Sequence, residues 1–387
     1  MLKQRFLVSI LAVITATLVL FTGCTQTSKP QNEIKIGLNY ELSGAAASYG
    51  QDTLNGILMA LDEINAAGGV LGKQITYVKL DNKTDPAEST SVATRLATKE
   101  NVSVILGPAT TGATKASIPV ADKNKVPLIS ASATADDVTV DAKGLKEYAY
   151  RICFNDSFQG TVMANFATKN LNAKNAVVLM DNSSDYGKGL AKTFTETFTK
   201  NGGAIAAQEA FVKDEKDFSA ILTKIKDKAF DILLIAGYYN EAGLIIKQAR
   251  ALGIDKPVLG GDGLDSPVLG ELAGKTALNK VYFSNHYSSL DKDPVIVKFM
   301  NGFRTKNNKD PNAFNALGYD LGYFAVDAIK RANSSEPIKI KEALDNTTEF
   351  KGVTGRFSID KNHNPVKTAV VIELKDGVQA SSVKVEP

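Results

Sequence analysis

Two segments of the sequence, Val102-Ser-Val-Ile-Leu-Gly-Pro-Ala-Thr-Thr-Gly-Ala-Thr114 and Val126-Pro-Leu-Ile-Ser-Ala-Ser-Ala-Thr134, share one pattern. Each begins with an apolar run of strand length and continues into a turn rich in Ser, Thr and Ala, after which the first segment resumes with helical spacing. In a parallel sheet both turns lie at the carboxyl ends of their strands, where open α/β sheets bind ligands. The amides of a helix N-terminus and the neighbouring hydroxyls favour a carboxylate or a phosphate there. The same residues also fit a simpler interpretation, in which the Ser and Thr side chains only cap helices.

Strand and helix patterns alternate along most of the remaining chain. They alternate from 34 to 129, where Asp85-Pro-Ala-Glu88 is typical of a helix start, and again from 157 to 284. Such alternation predicts parallel sheets with helices on both faces. Three helices are then predicted near 294–306, 314–332 and 337–346, and two final strands are predicted at 355–359 and 368–374. Because 387 residues exceed the usual size of a single core, we expect an α/β protein with two domains.

The N-terminus has the organisation of an export signal. Lys3 and Arg5 precede an apolar run from 6 to 21, which ends in Phe21-Thr-Gly-Cys24. This region resembles a bacterial lipoprotein signal, in which cleavage leaves a lipid on the new N-terminal Cys. We therefore predict a signal peptide over 1–23, a lipid on Cys24 and a polar tether over 24–32 that anchors an exported domain to the outer face of the cell membrane. The alternative, an uncleaved anchor helix, also exports the rest of the chain.

Charge and cysteine content narrow the class of protein. Removing Lys3 and Arg5 lowers the formal net charge from +3 to +1, which argues against nucleic acid or a charged membrane surface as the partner. With Cys24 used by the lipid, Cys153 is the only remaining cysteine, so no intrachain disulfide is possible. The fold must then depend on its core of Val, Ile and Leu.

Eight motifs in order carry a resemblance to a known family. They are Ser43-Gly-Ala-Ala-Ala-Ser-Tyr-Gly50, the stretch 56–69 ending in Asp-Glu-Ile-Asn-Ala-Ala-Gly-Gly, Ile129-Ser-Ala-Ser-Ala-Thr134, Phe158-Gln-Gly160, Asp185-Tyr-Gly-Lys-Gly189, Lys216-Asp-Phe-Ser219, Gly237-Tyr-Tyr-Asn-Glu-Ala-Gly243 and Gly260-Gly-Asp262. After the signal, nearly the whole chain resembles the branched-chain amino acid (leucine/isoleucine/valine) binding proteins, which are the substrate-binding lipoproteins or periplasmic proteins of ABC transporters. The resemblance implies the type I periplasmic-binding-protein fold, with two doubly wound parallel-sheet lobes joined by a three-crossing hinge near Ile152, Asn285 and Asn364. It assigns 33–152 and 286–363 to the N-terminal lobe, and 153–285 and 364–387 to the C-terminal lobe.

The resemblance also implies a site for an amino acid zwitterion in the cleft between the lobes. By that likeness, the hydroxyl and N–H of Thr111 hold the ligand's α-carboxylate, and the Ser132 backbone with the Thr134 hydroxyl holds carboxylate and ammonium together. Asp262 stands where the family has an acid, often Glu, that pairs with the ammonium. Tyr238 stands where a Tyr closes over the polar end from the second lobe. The residue types agree with these roles, since hydroxyls and helix-start amides suit a carboxylate and an unpaired acid suits an ammonium.

Other residues are expected around the ligand's side chain. By the same resemblance, Tyr49 and Tyr186 wall the side-chain pocket from the two lobes, whereas Phe314 is expected mainly in core packing. Thr84 and Thr110 occupy positions where some family members have a disulfide, so the Thr110 hydroxyl is expected near the pocket. The expected ligand is Leu, Ile or Val, and a small or polar amino acid such as Ala, Ser or Thr is a second candidate.

For function, the resemblance implies a lipid-anchored receptor that captures a free amino acid outside the cell and docks on the permease and ATPase complex of an ABC importer. A sensor that reports ligand occupancy to a partner receptor is an alternative, because the same two-lobed module serves both tasks. Relatives of this fold that bind amides or aromatic acids provide a further alternative for the ligand.

The sequence gives little support to an enzyme. His286 and His363 are the only histidines, no spacing of His, Cys and carboxylates indicates a metal site, and no Gly-x-Ser-x-Gly elbow or P-loop occurs. Cys153 is expected to be an inert core thiol within an apolar strand. His286 is expected to be either a hinge residue or a surface residue. We therefore predict a binding protein with no catalytic step and no cofactor.

Overall fold

The first lobe is built on a parallel sheet. The computed structural model describes residues 33–386, so the predicted signal peptide, Cys24 and the tether lie outside the described residues. In chain order this lobe contains β1 (Glu33–Tyr40), β2 (Gln74–Asp81), β3 (Val104–Leu106), β4 (Leu128–Ser130), β5 (Val140–Asp141), β6 (Gly144–Leu145) and β7 (Ala149–Arg151). Five strands pair in parallel in the order β2-β1-β3-β4-β7, and β5 and β6 form a separate hairpin. The connecting helices are α1 (Ala47–Ala66), α2 (Pro86–Thr98) and α3 (Thr111–Asn124).

The second lobe repeats this alternation. Its first five strands are β8 (Asn175–Asp181), β9 (Ala204–Phe211), β10 (Ile232–Ala236), β11 (Val258–Gly260) and β12 (Val281–Asn285). Its helices are α4 (Asp156–Lys169), α5 (Asp185–Lys200), α6 (Ser219–Lys226), α7 (Tyr239–Ala251) and α8 (Pro267–Ala273). Short 3-10 turns occur at Asp262–Leu264 and Lys275–Leu278 here, and at Asp136–Val138 in the first lobe. The predicted α/β class with two wound lobes is confirmed.

After β12 the chain returns to the first lobe and then ends in the second. It forms α9 (Pro294–Asn307), α10 (Ala313–Ala332), α11 (Pro337–Asp345), β13 (Phe350–Gly352), β14 (Gly355–Phe357), β15 (Ala369–Lys375) and β16 (Val378–Val385). The second sheet has the order β16-β15-β12-β11-β10-β8-β9, in which β15 and β16 are antiparallel to their neighbours. The sequence did not predict β16 or this antiparallel edge. A two-residue turn follows β15, and a connection of that length can only return antiparallel.

Two glycines allow α10 to pack closely on α1. A Cβ on Gly56 would lie 2.0 Å from the carbonyl oxygen of Asn315, and one on Gly318 would lie 1.9 Å from that of Thr53. Both distances are far below any real contact, so a side chain at either position would force the helices apart. This contact joins the returning segment to the first lobe.

The hinge is held by buried polar side chains on different crossings. Lys367, on the third crossing, donates from Nζ to the carbonyl oxygen of Ile152 on the first (3.2 Å) and to the Thr354 hydroxyl (2.7 Å). Arg151 donates from Nε to Asn364 Oδ1 at 2.6 Å. Burial lowers the pKa of Lys367 to about 8, although the Asp320 carboxylate opposes this shift.

Cys153 lies at the first crossing and is not part of a strand, which corrects the expectation from sequence. It is the second residue after the end of β7 and is fully buried. Burial raises the pKa of its thiol to about 12. The thiolate is therefore unpopulated near neutral pH, and the expected inertness of the thiol follows from its surroundings.

Candidate ligand-binding site between the two lobes

A narrow cavity lies between the lobes, where strands of both sheets end. Its lining consists of Tyr49, Ala109, Thr110, Thr111, Ser132, Tyr186, Tyr238, Asp262, Gly263 and Phe314. These residues follow β1, β3 and β4 in the first lobe and β8, β10 and β11 in the second, except for Phe314 at the start of α10. In this form the lining side chains pack closely and leave a cavity volume of only about 10 Å³, which is about the space of one water molecule. A ligand the size of an amino acid therefore requires the lining to move apart.

Seven of the eight residues predicted from sequence belong to this lining, and Thr134 does not. Thr134 is 1% exposed, and its carbonyl oxygen accepts a bond from the Asp156 N–H at 2.8 Å. Its side chain lies beside the Asp156 carboxyl group, where it opposes the effect of burial on the pKa of Asp156. Phe314 was expected mainly in the core, and it both packs there and lines the cavity.

The first-lobe side of the cavity suits an anion. Helix α3 begins at Thr111, and no side chain caps its N-terminus. The first amides of a helix have no intrahelical acceptor, so those of α3 are available to a ligand. The Ala135 N–H donates to the Thr111 hydroxyl oxygen at 3.4 Å, which leaves the Thr111 hydroxyl proton free to be donated. The Ser132 hydroxyl instead donates to the Ala109 carbonyl oxygen at 2.9 Å.

Glu41 holds the turn after β3 that forms the anion side of the cavity, and the sequence did not predict this role. Its buried carboxylate accepts bonds from the Ala109 N–H (3.1 Å), the Thr110 N–H (3.0 Å) and the Thr110 hydroxyl (2.7 Å). Burial raises the pKa of Glu41, and these three donors oppose the rise. The Thr110 hydroxyl proton is therefore already used within the protein. The only sequence signal was position, because Glu41 directly follows β1, the strand beside β3.

The second-lobe side presents one carboxylate. Asp262 follows β11 and is 3% exposed. Its Oδ2 lies 3.1 Å from Nε2 of His286, and its N–H donates to Oε1 of Gln159 at 3.2 Å. Within residues 33–386, Oδ1 has no hydrogen-bond partner. The preceding residue, Gly261, has no room for a side chain, because a Cβ there would lie 2.5 Å from the Tyr186 hydroxyl oxygen.

His286 is the neighbour of Asp262 that the sequence did not assign to the site. It is 4% exposed and directly follows β12, so the surface alternative is wrong. Burial lowers the pKa of its imidazole, whereas the contact with Asp262 opposes that shift. A lone His beside a strand end carries no local signal of such a contact, which depends on tertiary packing.

Aromatic rings from both lobes form the remaining walls. Tyr49 stacks on Phe314, with ring centroids 4.4 Å apart, and Tyr186 stacks on Tyr238 at 5.0 Å. The Tyr49 hydroxyl donates to the Gly263 carbonyl oxygen (2.5 Å), and the Gly263 N–H donates to the Tyr186 hydroxyl (3.0 Å). Burial raises the pKa of Tyr49, Tyr186 and Tyr238 well above the usual range, so all three phenols are neutral.

Direct contacts close the lobes over this cavity. The Tyr239 hydroxyl and the Asn240 side-chain amide of the second lobe both donate to the Ala45 carbonyl oxygen of the first, at 2.8 and 2.6 Å. Lys115 on α3 forms an ion pair with Asp185 on α5 at 2.6 Å. The structure therefore represents a closed form.

The described part of the chain contains neither a cluster of metal-ligating side chains nor a membrane-spanning helix. In residues 33–386 no group of three or more His, Cys, Asp or Glu side chains is arranged to hold a metal ion. No helix in the same range is both long and apolar enough to cross a bilayer.

The chain is similar to known solute-binding proteins. Residues 33–379 match the family model described as periplasmic binding protein. The Leu/Ile/Val-binding protein BraC3 of Rhizobium johnstonii is 31% identical over 90% of this chain and 92% of that protein. The leucine-, isoleucine-, valine-, threonine- and alanine-binding protein of Pseudomonas aeruginosa is 28% identical over 88% of this chain and 89% of that protein.

Solved structures give the same result. The branched-chain amino acid transporter substrate-binding protein LivJ of Streptococcus pneumoniae, in complex with isoleucine, is 44% identical with a TM-score of 0.87, over 92% of this chain and all of that chain. The leucine-binding protein LivK of Thermotoga maritima is 36% identical with a TM-score of 0.86, over 92% of this chain and 99% of that chain. The chain therefore belongs to the periplasmic binding protein family, whose members bind solutes and are not enzymes.

Proposed function

We propose that this protein captures a free branched-chain amino acid, leucine, isoleucine or valine, between its lobes and delivers it to the permease of an ABC importer. The single observation that carries the proposal is the polarity of the interlobe cavity. The start of a helix and a hydroxyl of the first lobe, one carboxylate of the second lobe and four aromatic rings line the same small cavity. An α-amino acid has the matching pattern of carboxylate, ammonium and apolar side chain.

The charges of a zwitterion require such a site. Both groups lose their hydration in a closed cleft, and each must find hydrogen bonds or cost several kcal/mol. The carboxylate binds the first amides of α3, the Thr111 hydroxyl and the backbone of Ser132. The ammonium donates to Asp262, and Tyr238 covers this end. A contact with Thr134 requires its hydroxyl to turn away from Asp156.

The side-chain pocket favours an aliphatic ligand. Tyr49, Tyr186 and Phe314 offer ring surfaces, and the Thr110 hydroxyl proton is committed to Glu41. The names of the relatives support leucine, isoleucine and valine first, and the name of the Pseudomonas protein extends the range to threonine and alanine. The isoleucine complex of the 44% identical Streptococcus protein supports the same class.

The proposal includes the cellular setting. Residues 1–23 act as a signal peptide, and Cys24 receives a lipid that holds the protein at the outer face of the membrane through the tether 24–32. The N-terminal lobe comprises 33–152 and 286–363, and the C-terminal lobe comprises 153–285 and 364–387. Closure of the lobes on the ligand creates the form that docks on the permease.

A thermal-shift screen tests the proposal. The mature protein is unfolded and refolded to remove any ligand carried through purification, and is then heated with each of the standard amino acids, several amides and several aromatic acids. A ligand that binds only the native state stabilises it by about 4 kcal/mol at a thousandfold excess over Kd. We expect a selective rise in Tm with leucine, isoleucine and valine. A rise only with an amide or an aromatic acid would contradict the proposal.

A further inference from the structure

We propose that His286 is a positioning residue whose neutral imidazole holds one oxygen of Asp262, leaves the other for the ligand's ammonium, and releases the ligand when it gains a proton. The inference rests on the proposed function, because it takes Asp262 as the partner of the ammonium. It adds a proton-linked control of affinity to that site.

The geometry places His286 against one carboxylate oxygen only. Its Nε2 lies 3.1 Å from Oδ2 of Asp262, whereas Oδ1 has no hydrogen-bond partner within residues 33–386. A stack on Phe154 holds the imidazole plane, with ring centroids 3.7 Å apart and 20° between the planes. Phe154 belongs to the first crossing and His286 to the second, so the hinge itself orients the acid of the site.

The surroundings also determine which tautomer is present. A carboxylate only accepts hydrogen bonds, so Nε2 must carry the proton that it shares with Asp262. Nδ1 is buried and has no hydrogen-bond partner in the described chain. A proton on Nδ1 would be a buried donor without an acceptor, which is costly. The favoured form is therefore the neutral imidazole protonated at Nε2.

The charged groups around His286 and Asp262 have opposing effects on the protonation of His286. Asp262 favours protonation of His286, and the Lys367 ammonium at the third crossing disfavours it. Asp156, at the start of α4, interacts with Asp262 and has a pKa raised by burial. The Cys153 thiol is neutral near pH 7. Burial is the largest influence on His286 and lowers its pKa below the usual 6.5.

Charge balance links the proton to the ligand. With a neutral imidazole, the His286–Asp262 pair carries one negative charge, which the ammonium neutralises. With an imidazolium, the charge of Asp262 is already compensated, and the imidazolium also repels the ligand's ammonium. Ligand and proton therefore compete, so the affinity is constant above the pKa of His286 in the ligand-free protein. Below that pKa, it falls by up to about tenfold per pH unit.

Calorimetry of isoleucine binding between about pH 5 and 8 tests this. The His286→Gln variant keeps an N–H donor near the position of Nε2 but has no group that titrates in this pH range. The His286→Phe variant keeps an aromatic ring but has no donor. His363→Gln is the matched control, because His363 is the other buried histidine, bonds the Ala149 carbonyl oxygen and does not line the cavity. Thermal unfolding of each variant verifies folding.

The four proteins should differ in a fixed pattern. Wild type and His363→Gln should lose affinity on acidification by the same factor, whereas the affinity of His286→Gln, whatever its value at pH 8, should change little at lower pH. His286→Phe should bind about 10- to 100-fold more weakly at pH 8, because a hydrogen bond to a buried charge is lost. Imidazole ¹⁵N spectra of the ligand-free wild type should show the neutral tautomer protonated at Nε2 near pH 7.

The possible failures are distinguishable. Wild type that binds no amino acid at any pH overturns the proposed function. Wild type that binds isoleucine while His286→Gln shows the same loss at low pH overturns the role of His286. The same conclusion follows if His286→Phe matches wild type at pH 8, or if the spectra show an imidazolium near pH 7.

Discussion

Asp262 and Asp156 are two buried carboxylates with different positions relative to the cavity. They repel each other, and this repulsion contributes to the raised pKa of Asp156. Only Asp262 lines the cavity, whereas Oδ1 of Asp156 accepts a bond from the Gln159 side chain at 2.7 Å. We therefore propose that Asp262 pairs with the ligand's ammonium and that Asp156 has a structural role through its bond to Gln159.

Replacing each acid by its amide separates these roles. We expect Asp262→Asn to weaken isoleucine binding about 30-fold or more, because breaking a buried charge pair costs about 2–5 kcal/mol. Asp156→Asn should change the affinity by about threefold or less, since Asn retains the acceptor for Gln159. Calorimetric titration of both variants at neutral pH measures the difference. A larger loss in Asp156→Asn would reassign the ammonium to Asp156.

Single residues differ in how far the sequence reveals them. Thr111 and Ser132 were predictable because the hydroxyl-rich turns after two apolar runs mark a ligand edge of a parallel sheet. Asp262 and the three tyrosines depended on the family resemblance, since an isolated acid or ring has no local signature. Glu41 and His286 were missed because their partners lie far away in the chain, at Thr110 and Asp262. Such contacts follow from strand order, which no local pattern contains.

At the scale of elements, a buried lysine is one of the side chains that link the crossings of the hinge. Lys367 links the third crossing to Ile152 on the first, and it shares the Thr354 hydroxyl with Asp320 of α10. Because burial lowers its pKa to about 8 from the usual 10.5, the folded protein releases a proton that the unfolded chain keeps between these values. The free energy of unfolding therefore rises with pH in this window and is lowest, for this group, below pH 8.

Lys367→Met should remove that dependence. We expect the free energy of unfolding of wild type, relative to Lys367→Met, to rise by about 1.4 kcal/mol per pH unit above pH 8. Urea denaturation of both proteins at several pH values measures the difference. Lys309→Met is a control, since Lys309 is half-exposed and pairs with Asp52 outside the hinge. A pH-independent difference between wild type and Lys367→Met would contradict a lowered pKa.

Most elements were predictable from their own sequences, and the exceptions have a physical cause. The helix start at Asp85 is confirmed, because Asp85 accepts the Glu88 N–H at 2.8 Å and Pro86 occupies the first helical position. The three late helices lie within two residues of their predicted bounds. In contrast, β16 has the weak strand sequence Val-Gln-Ala-Ser-Ser-Val-Lys-Val, and pairing with β15 determines its conformation.

At the scale of the whole molecule, the proposed function makes ligand binding and lobe closure one event. The anion side of the cavity belongs to the first lobe and Asp262 belongs to the second, so a zwitterion bound as proposed would join the lobes through both of its charges. Contacts of Ala45 with Tyr239 and Asn240 then add direct bonds between the lobes. A ligand that lacks either charge loses one side of this link.

The most direct test is a calorimetric comparison of L-isoleucine with 3-methylpentanoic acid, its analogue without the amino group, on refolded wild-type protein. Both compounds carry the carboxylate and the same branched side chain, so they differ only at the group assigned to Asp262. We predict one isoleucine bound per chain and at least about 100-fold weaker binding of the analogue. Equal affinities, or binding of the analogue alone, would contradict recognition of an amino acid zwitterion between the lobes.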